Sequence, residues 1–186
     1  MNFFIVFLIS FFLILFLPYL YCYLKLKNPK NILKPLHGNF AKLKNGNLFY
    51  EVHKSEKPIG QTVVLVHGFS TPSIVWKGII PFLTSSGFDV LAYDHYGRGY
   101  SARPRVDYTK DFYISTLAEL LKHLNIDTEV HLVGYSMGGP IVGHFAGKFS
   151  SKVASINLIA PAGYMGETNT SSRLIFKILS ISLIHI

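Results

Sequence analysis

Between Val130 and Phe145 the chain reads VHLVGYSMGGPIVGHF, and no other stretch restricts the fold so tightly. Val130–Val133 is an apolar run that reads as a strand, and Met137–Lys148 reads as a helix. Only GYSMG, Gly134 to Gly138, joins them. A turn that sharp drives its central residue into a strained, left-handed conformation. A Cβ at position 134 or 138 would collide across it, so both positions need glycine or nearly so. Ser136 would then stand clear of the sheet with its Oγ exposed, the arrangement of a nucleophile in a G-x-S-x-G turn. The plainer reading is a Gly-rich turn with an incidental serine. A strand before and a helix after argue against it. Gly139, Gly143 and Gly147 are expected to let the helix approach the sheet closely.

A serine nucleophile attacking a carbonyl creates a negative oxygen, which two N–H groups can hold; a single donor contributes about 3 kcal/mol. Met137, just after the serine and at a helix N-terminus, is one candidate. The other is Phe69 in VHGFS, Val66 to Ser70, which follows the apolar run Thr62–Val66. Gly68 permits the close approach of main chain. His67 is tempting as the catalytic base, and Asp94 in YDHYGRGYS as the acid. Both precede Ser136, whereas the order expected in this architecture is Ser, acid, His. Loop-orienting roles are therefore expected for His67 and Asp94, with Gly97 and Gly99 shaping the loop.

The remaining elements follow from periodicity. Asn45-Gly46, between Phe40–Lys44 and Asn47–His53, predicts a hairpin turn. Thr62–Val66 has the continuous apolar character of a strand buried on both faces. Ile74–Leu83 predicts a helix cut short by Pro81, Phe88–Tyr93 a strand, and Val153–Ala160 another. Ile114, Leu117, Leu121 and Leu124 mark one face of a helix over Asp111–Leu124. Alternating strands and helices imply a parallel sheet with helices on both faces.

The N-terminus is a separate problem. From Phe3 to Leu24 no residue is charged, and about 22 residues of helix span roughly 33 Å, enough for a ~30 Å hydrocarbon core. Tyr19, Tyr21 and Tyr23 cluster at one end, as aromatic side chains do at a membrane boundary. A cleaved signal peptide is the rival reading. The run is long, no Lys or Arg precedes it, and no small-residue cleavage site follows, which favours an uncleaved anchor. Lys25, Lys27, Lys30 and Lys34 follow the span, so the positive-inside rule puts the rest of the chain in the cytoplasm. The excess of 18 Lys+Arg over 10 Asp+Glu is ascribed to this juxtamembrane run on an anionic leaflet, not to nucleic-acid binding. Cys22 is the only cysteine, so no internal disulfide can form. The expected division is an anchor over 1–24, a basic linker over 25–38 and a domain over 39–186.

Taken together, HGFS, DHYGRGYS, GYSMGG and APAG resemble the α/β-hydrolase fold family, in particular its small esterases and monoacylglycerol-lipase-like members. The resemblance covers about Phe40 to Gly163. It implies a mostly parallel sheet, of which strands one to six are present, with a lid or cap starting within 161–186. It also implies a carboxylic ester substrate, possibly lipid-derived, with no metal or organic cofactor. In the family the acid and the histidine follow later strands. After Ser136 this chain offers only Glu167, His144 and His185. His144 lies ~12 Å along the same helix from Ser136, beyond hydrogen-bond reach. None of the three is a credible triad member, so a truncated or partial hydrolase, inactive as it stands, is the expectation. The alternatives are a catalytically dead membrane protein of the same fold, and an acyltransferase or thioesterase.

Overall fold

The computed structural model describes residues 3–26 and 35–163. Two compact units separate near residue 35. The first holds helix α1, Phe3–Leu26, which runs through Pro18 and extends two residues past the expected anchor boundary. Its described side chains are almost all exposed and apolar on every side, and Ile5–Lys25 has a mean hydropathy of 2.5. A helix of this length, apolar all round, is a candidate membrane span. Most of the expected linker, residues 27–34, lies outside the described residues, as does everything after Gly163.

The second unit is built on one six-stranded sheet: β1 (Asn39–Leu43), β2 (Gly46–His53), β3 (Thr62–Val66), β4 (Asp89–Tyr93), β5 (Val130–Tyr135) and β6 (Val153–Ile159). Their order in space is β1-β2-β4-β3-β5-β6. The first hairpin is antiparallel, and β4, β3, β5 and β6 run parallel. The crossovers carry α2 (Ile80–Ser85), α3 (Lys110–His123) and α4 (Gly138–Lys148). Successive strand residues point to opposite faces. Val64, Val66, Leu91 and Tyr93 therefore pack with Ile114, Leu117 and Phe145 of α3 and α4. Val63, Leu65, Val90 and Ala92 pack on the other face with Trp76 and Ile80. Two covered faces explain why these strands read as unbroken apolar runs. Among the described strands β6 closes the sheet, leaving Ile156, Leu158 and Ile159 exposed.

Two local expectations are corrected. The hairpin loop is Lys44-Asn45, with Leu43 opposite Gly46; the positive φ, 115°, falls on Gly46. That matches a type I turn closed by a glycine bulge rather than a turn centred on Asn45-Gly46. The helix expected over 74–83 is instead a 3-10 turn, Ser73–Trp76, followed by α2. Pro81 sits in the first turn of α2, where its missing N–H has no partner to lose, so it starts the helix rather than ending it.

Candidate active site

Strands β3 and β5 are parallel neighbours in register, with Val66 opposite Gly134, so both chains leave the sheet at the same level. At that level β5 turns into α4. Ser136 takes the left-handed conformation expected of it, with φ of 51°. Such a residue costs roughly 1–3 kcal/mol and persists only where its surroundings fix it. Its N–H donates to Ile159 O (3.0 Å), and its carbonyl accepts from Gly139 N (3.0 Å) and Ala162 N (2.9 Å). The end of β6 and the segment after it thus clasp the Ser136 turn on both sides of its backbone.

The glycines are used as the turn requires. A Cβ on Gly134 would lie 2.5 Å from Gly138 O and 2.8 Å from Gly139 Cα, and one on Gly138 would overlap the carbonyl of Val66. A Cβ on Gly68 would meet Ser136 Cβ at 3.0 Å, which brings the loop after β3 directly against the serine. A Cβ on Gly139 would lie 2.6 Å from Pro161 Cβ. Gly143 and Gly147 depart from the expectation: no described residue lies within 4 Å of a Cβ at either, so they have no part in the approach of helix to sheet.

His67 is fully buried and both ring nitrogens are engaged. Its Nε2 accepts from His95 N–H (2.9 Å), so its Nδ1 carries the proton and donates to Gly68 O (2.6 Å). The Gly68 carbonyl and the Phe69 N–H belong to one trans peptide plane and point in opposite directions. Tying that carbonyl to the ring turns the Phe69 N–H away from it. The amides of Phe69 and Met137 donate no hydrogen bond to any other described residue. Burial pushes the His67 pKa from 6.5 down to about 4, against the Gly68 bond and the Asp94 charge. His95, buried beside it, is held well below its ordinary value by the same desolvation.

The loop after β4 braces the loop after β3 at three points. Asp94 is buried; its Oδ1 accepts from Ser73 N–H (2.8 Å) and its Oδ2 from Tyr100 N–H (2.9 Å). A Cβ on Gly99 would run into that carboxylate. The His95 ring donates to His67 O (3.1 Å), and Arg98 donates to Phe69 O (2.6 Å). His95, Arg98 and the Ile159–Ala162 clasp were not singled out from sequence. Their partners lie more than 20 residues away, and only the DHYGRGYS motif hinted that the loop mattered.

No described imidazole or carboxylate forms a hydrogen bond with the Ser136 side chain. His144 points to solvent from α4. Glu167 and His185 lie outside the described residues. A recess of about 430 Å³ between Lys54–Lys57 and Thr84–Ser85 opens beside Asp89, at the amino end of β4. It is at the opposite end of the sheet from Ser136 and has no part in this site.

The profile of the alpha/beta hydrolase fold matches residues 61–179. The chain belongs to that family. An uncharacterised protein of Mycobacterium tuberculosis is 34% identical over 115 residues, covering 62% of this chain and 33% of that one. Monoacylglycerol lipase abhd6-B of Xenopus laevis is 28% identical over 123 residues, covering 65% of this chain and 36% of the lipase. The chain thus spans about a third of these relatives' length. The esterase EaEST of Exiguobacterium antarcticum superposes with a TM-score of 0.68 at 24% identity, covering 78% of this chain and 56% of the esterase.

Two outcomes follow from the geometry, both readable from the fluorescence of the single, buried Trp76 during urea unfolding in detergent. Gly138→Ala costs about 3 kcal/mol, the upper end for overpacking, because the obstacle is main chain. Gly143→Ala, facing open space, stabilises α4 by roughly 0.5–1 kcal/mol. Equal effects would refute the assignment of the turn. The second outcome concerns pH. Unfolded His67 takes up a proton near pH 6.5, folded His67 only near pH 4. Stability is therefore full above pH 6.5 and falls by on the order of 3 kcal/mol as the pH drops to about 4. A urea midpoint that stays flat from pH 7 to 4.5 would show that His67 is not buried in its neutral form.

Proposed function

We propose that this chain carries the nucleophile and oxyanion donors of a membrane-anchored serine hydrolase acting on carboxylic esters. The observation that carries the reading is the left-handed Ser136 turn, packed against a loop whose Phe69 amide, like that of Met137, has no acceptor among the described residues. In this reading Ser136 Oγ adds to the ester carbonyl and its proton passes to a base. The carbonyl oxygen becomes an oxyanion held by the Phe69 and Met137 N–H groups. Collapse expels the alcohol and leaves an acyl-serine, and water then releases the acid. No described residue is assigned as the base or the acid of the triad. His67, Gly68, Gly134, Gly138 and Asp94 support the site without touching the reacting atoms.

Helix α1 is the proposed anchor, joined by the basic segment 25–38 to a hydrolase domain over 39–186. The lysines after the span favour a cytoplasmic domain. A substrate of lipid origin agrees with such an anchor, and with a relative named as a monoacylglycerol lipase.

The test is activity-based labelling of the protein in its native membranes. A fluorophosphonate probe labels the parent hydrolase, in which a base serves Ser136, and Ser136→Ala in that parent abolishes the signal. Equal labelling of both removes Ser136 from the role. Alkaline carbonate extraction of the same membranes is expected to leave the protein in the pellet; its release into the supernatant would rule out the anchor.

A further inference from the structure

We infer that Arg98 is a positioning residue for the oxyanion donor Phe69, an inference that rests on the function proposed above. Phe69 sits between two peptide planes. The plane carrying its N–H is fixed through Gly68 O by the His67 ring. The following plane, which carries the Phe69 carbonyl, is fixed by Arg98: Nε–H donates to that oxygen at 2.6 Å. The guanidinium also lies over the Phe69 ring, 4.3 Å from its centroid. Carbonyl and side chain are thereby held by one rigid, planar group. The Cα of Phe69 has little freedom left, although Gly68 before it lacks the Cβ that would otherwise restrain the loop.

Arg98 is itself well anchored. Its Nη1 donates to Gly97 O (2.9 Å), its backbone N–H to His95 O (3.0 Å), and its carbonyl accepts from Ser101 N (3.1 Å). The clamp is thus rooted in the loop that Asp94 holds in place. A lysine supplies the charge but not the combination. It has no planar group that can lie on a ring and donate sideways to the carbonyl.

The experiment separates rate from amount. Native membranes carrying wild type, Arg98→Ala, Arg98→Lys or Ser136→Ala are titrated with the fluorophosphonate probe, reading the maximal labelling rate, the half-saturating probe concentration and the end-point. Arg98→Ala is expected to lower the maximal rate at least tenfold with the end-point retained, and Arg98→Lys to recover part of it. A role in folding alone would lower the end-point and leave the rate of the folded fraction intact, which overturns the inference. An unchanged rate in both variants also overturns it, while Ser136→Ala stays silent and the hydrolase reading stands. Should Arg98→Ala fail to fold, judged by Trp76 fluorescence, Arg98→Lys decides: a severalfold slower rate supports the clamp, and a wild-type rate refutes it. Labelling of Ser136→Ala equal to wild type overturns the underlying reading and this inference with it.

Discussion

The contact on which the rest depends is between main chains: the turn at Gly138 against the carbonyl end of β3 at Val66 and His67. Parallel neighbours in register must leave their sheet side by side. The loop after β3 and the turn after β5 therefore compete for one volume. The competition is resolved by removing Cβ atoms at positions 68 and 138, while Gly134 clears the turn itself. Once resolved, it brings a serine from one strand and an amide from the other together without any side chain bridging them. The left-handed backbone at Ser136 is the cost of that proximity, offset by a hydrogen bond to Ile159 O at the end of β6 and one from Ala162 N just beyond it.

A loop held only by glycines would be loose, and the loop after β4 supplies the missing stiffness. Asp94, His95 and Arg98 grip positions 73, 67 and 69 in turn. This arrangement buries two imidazoles with ring centroids 4.2 Å apart, which is stable only when both are neutral. The lowered histidine pKa values are therefore a consequence of bracing, not a sign of acid–base catalysis. A perturbed titratable group in a cleft is a common marker of an active site. Here the hydrogen bonds decide against His67 as the base, since its free lone pair is already taken by the His95 amide.

The sequence disclosed the elements that local physics controls. Val63–Val66 could only be a strand covered twice, and GYSMG between strand and helix could only be a sharp turn. Errors arose where one residue type serves two geometries. Pro81 starts helices as readily as it stops them, and Asn-Gly fits either the centre of a turn or the step into a glycine bulge. Gly143 and Gly147 follow Gly139 one and two turns along the same helix face, but only Gly139 is level with Pro161, a distinction that depends on where Pro161 lies. The parts that were not legible are contacts between loops: a histidine facing a histidine 28 residues away, and an arginine on a carbonyl 29 residues away, follow from no periodicity.

The electrostatic character of the site follows from these same contacts. Asp94, the buried carboxylate of the bracing loop, accepts two backbone N–H bonds, from Ser73 and from Tyr100. Both histidines are neutral. Among the described residues, what remains near Phe69 is the Arg98 charge, and beside Met137 it is the amino end of α4, where Met137 as cap residue has no side-chain hydrogen bond to satisfy the first turn. Both contributions are positive. On the function proposed above, a polarity of one sign, fixed before any substrate arrives, would favour the state in which a bound carbonyl oxygen carries negative charge over the neutral ground state. That difference, rather than tight binding of the ester, is what a set of oriented amides beside a serine can contribute to rate.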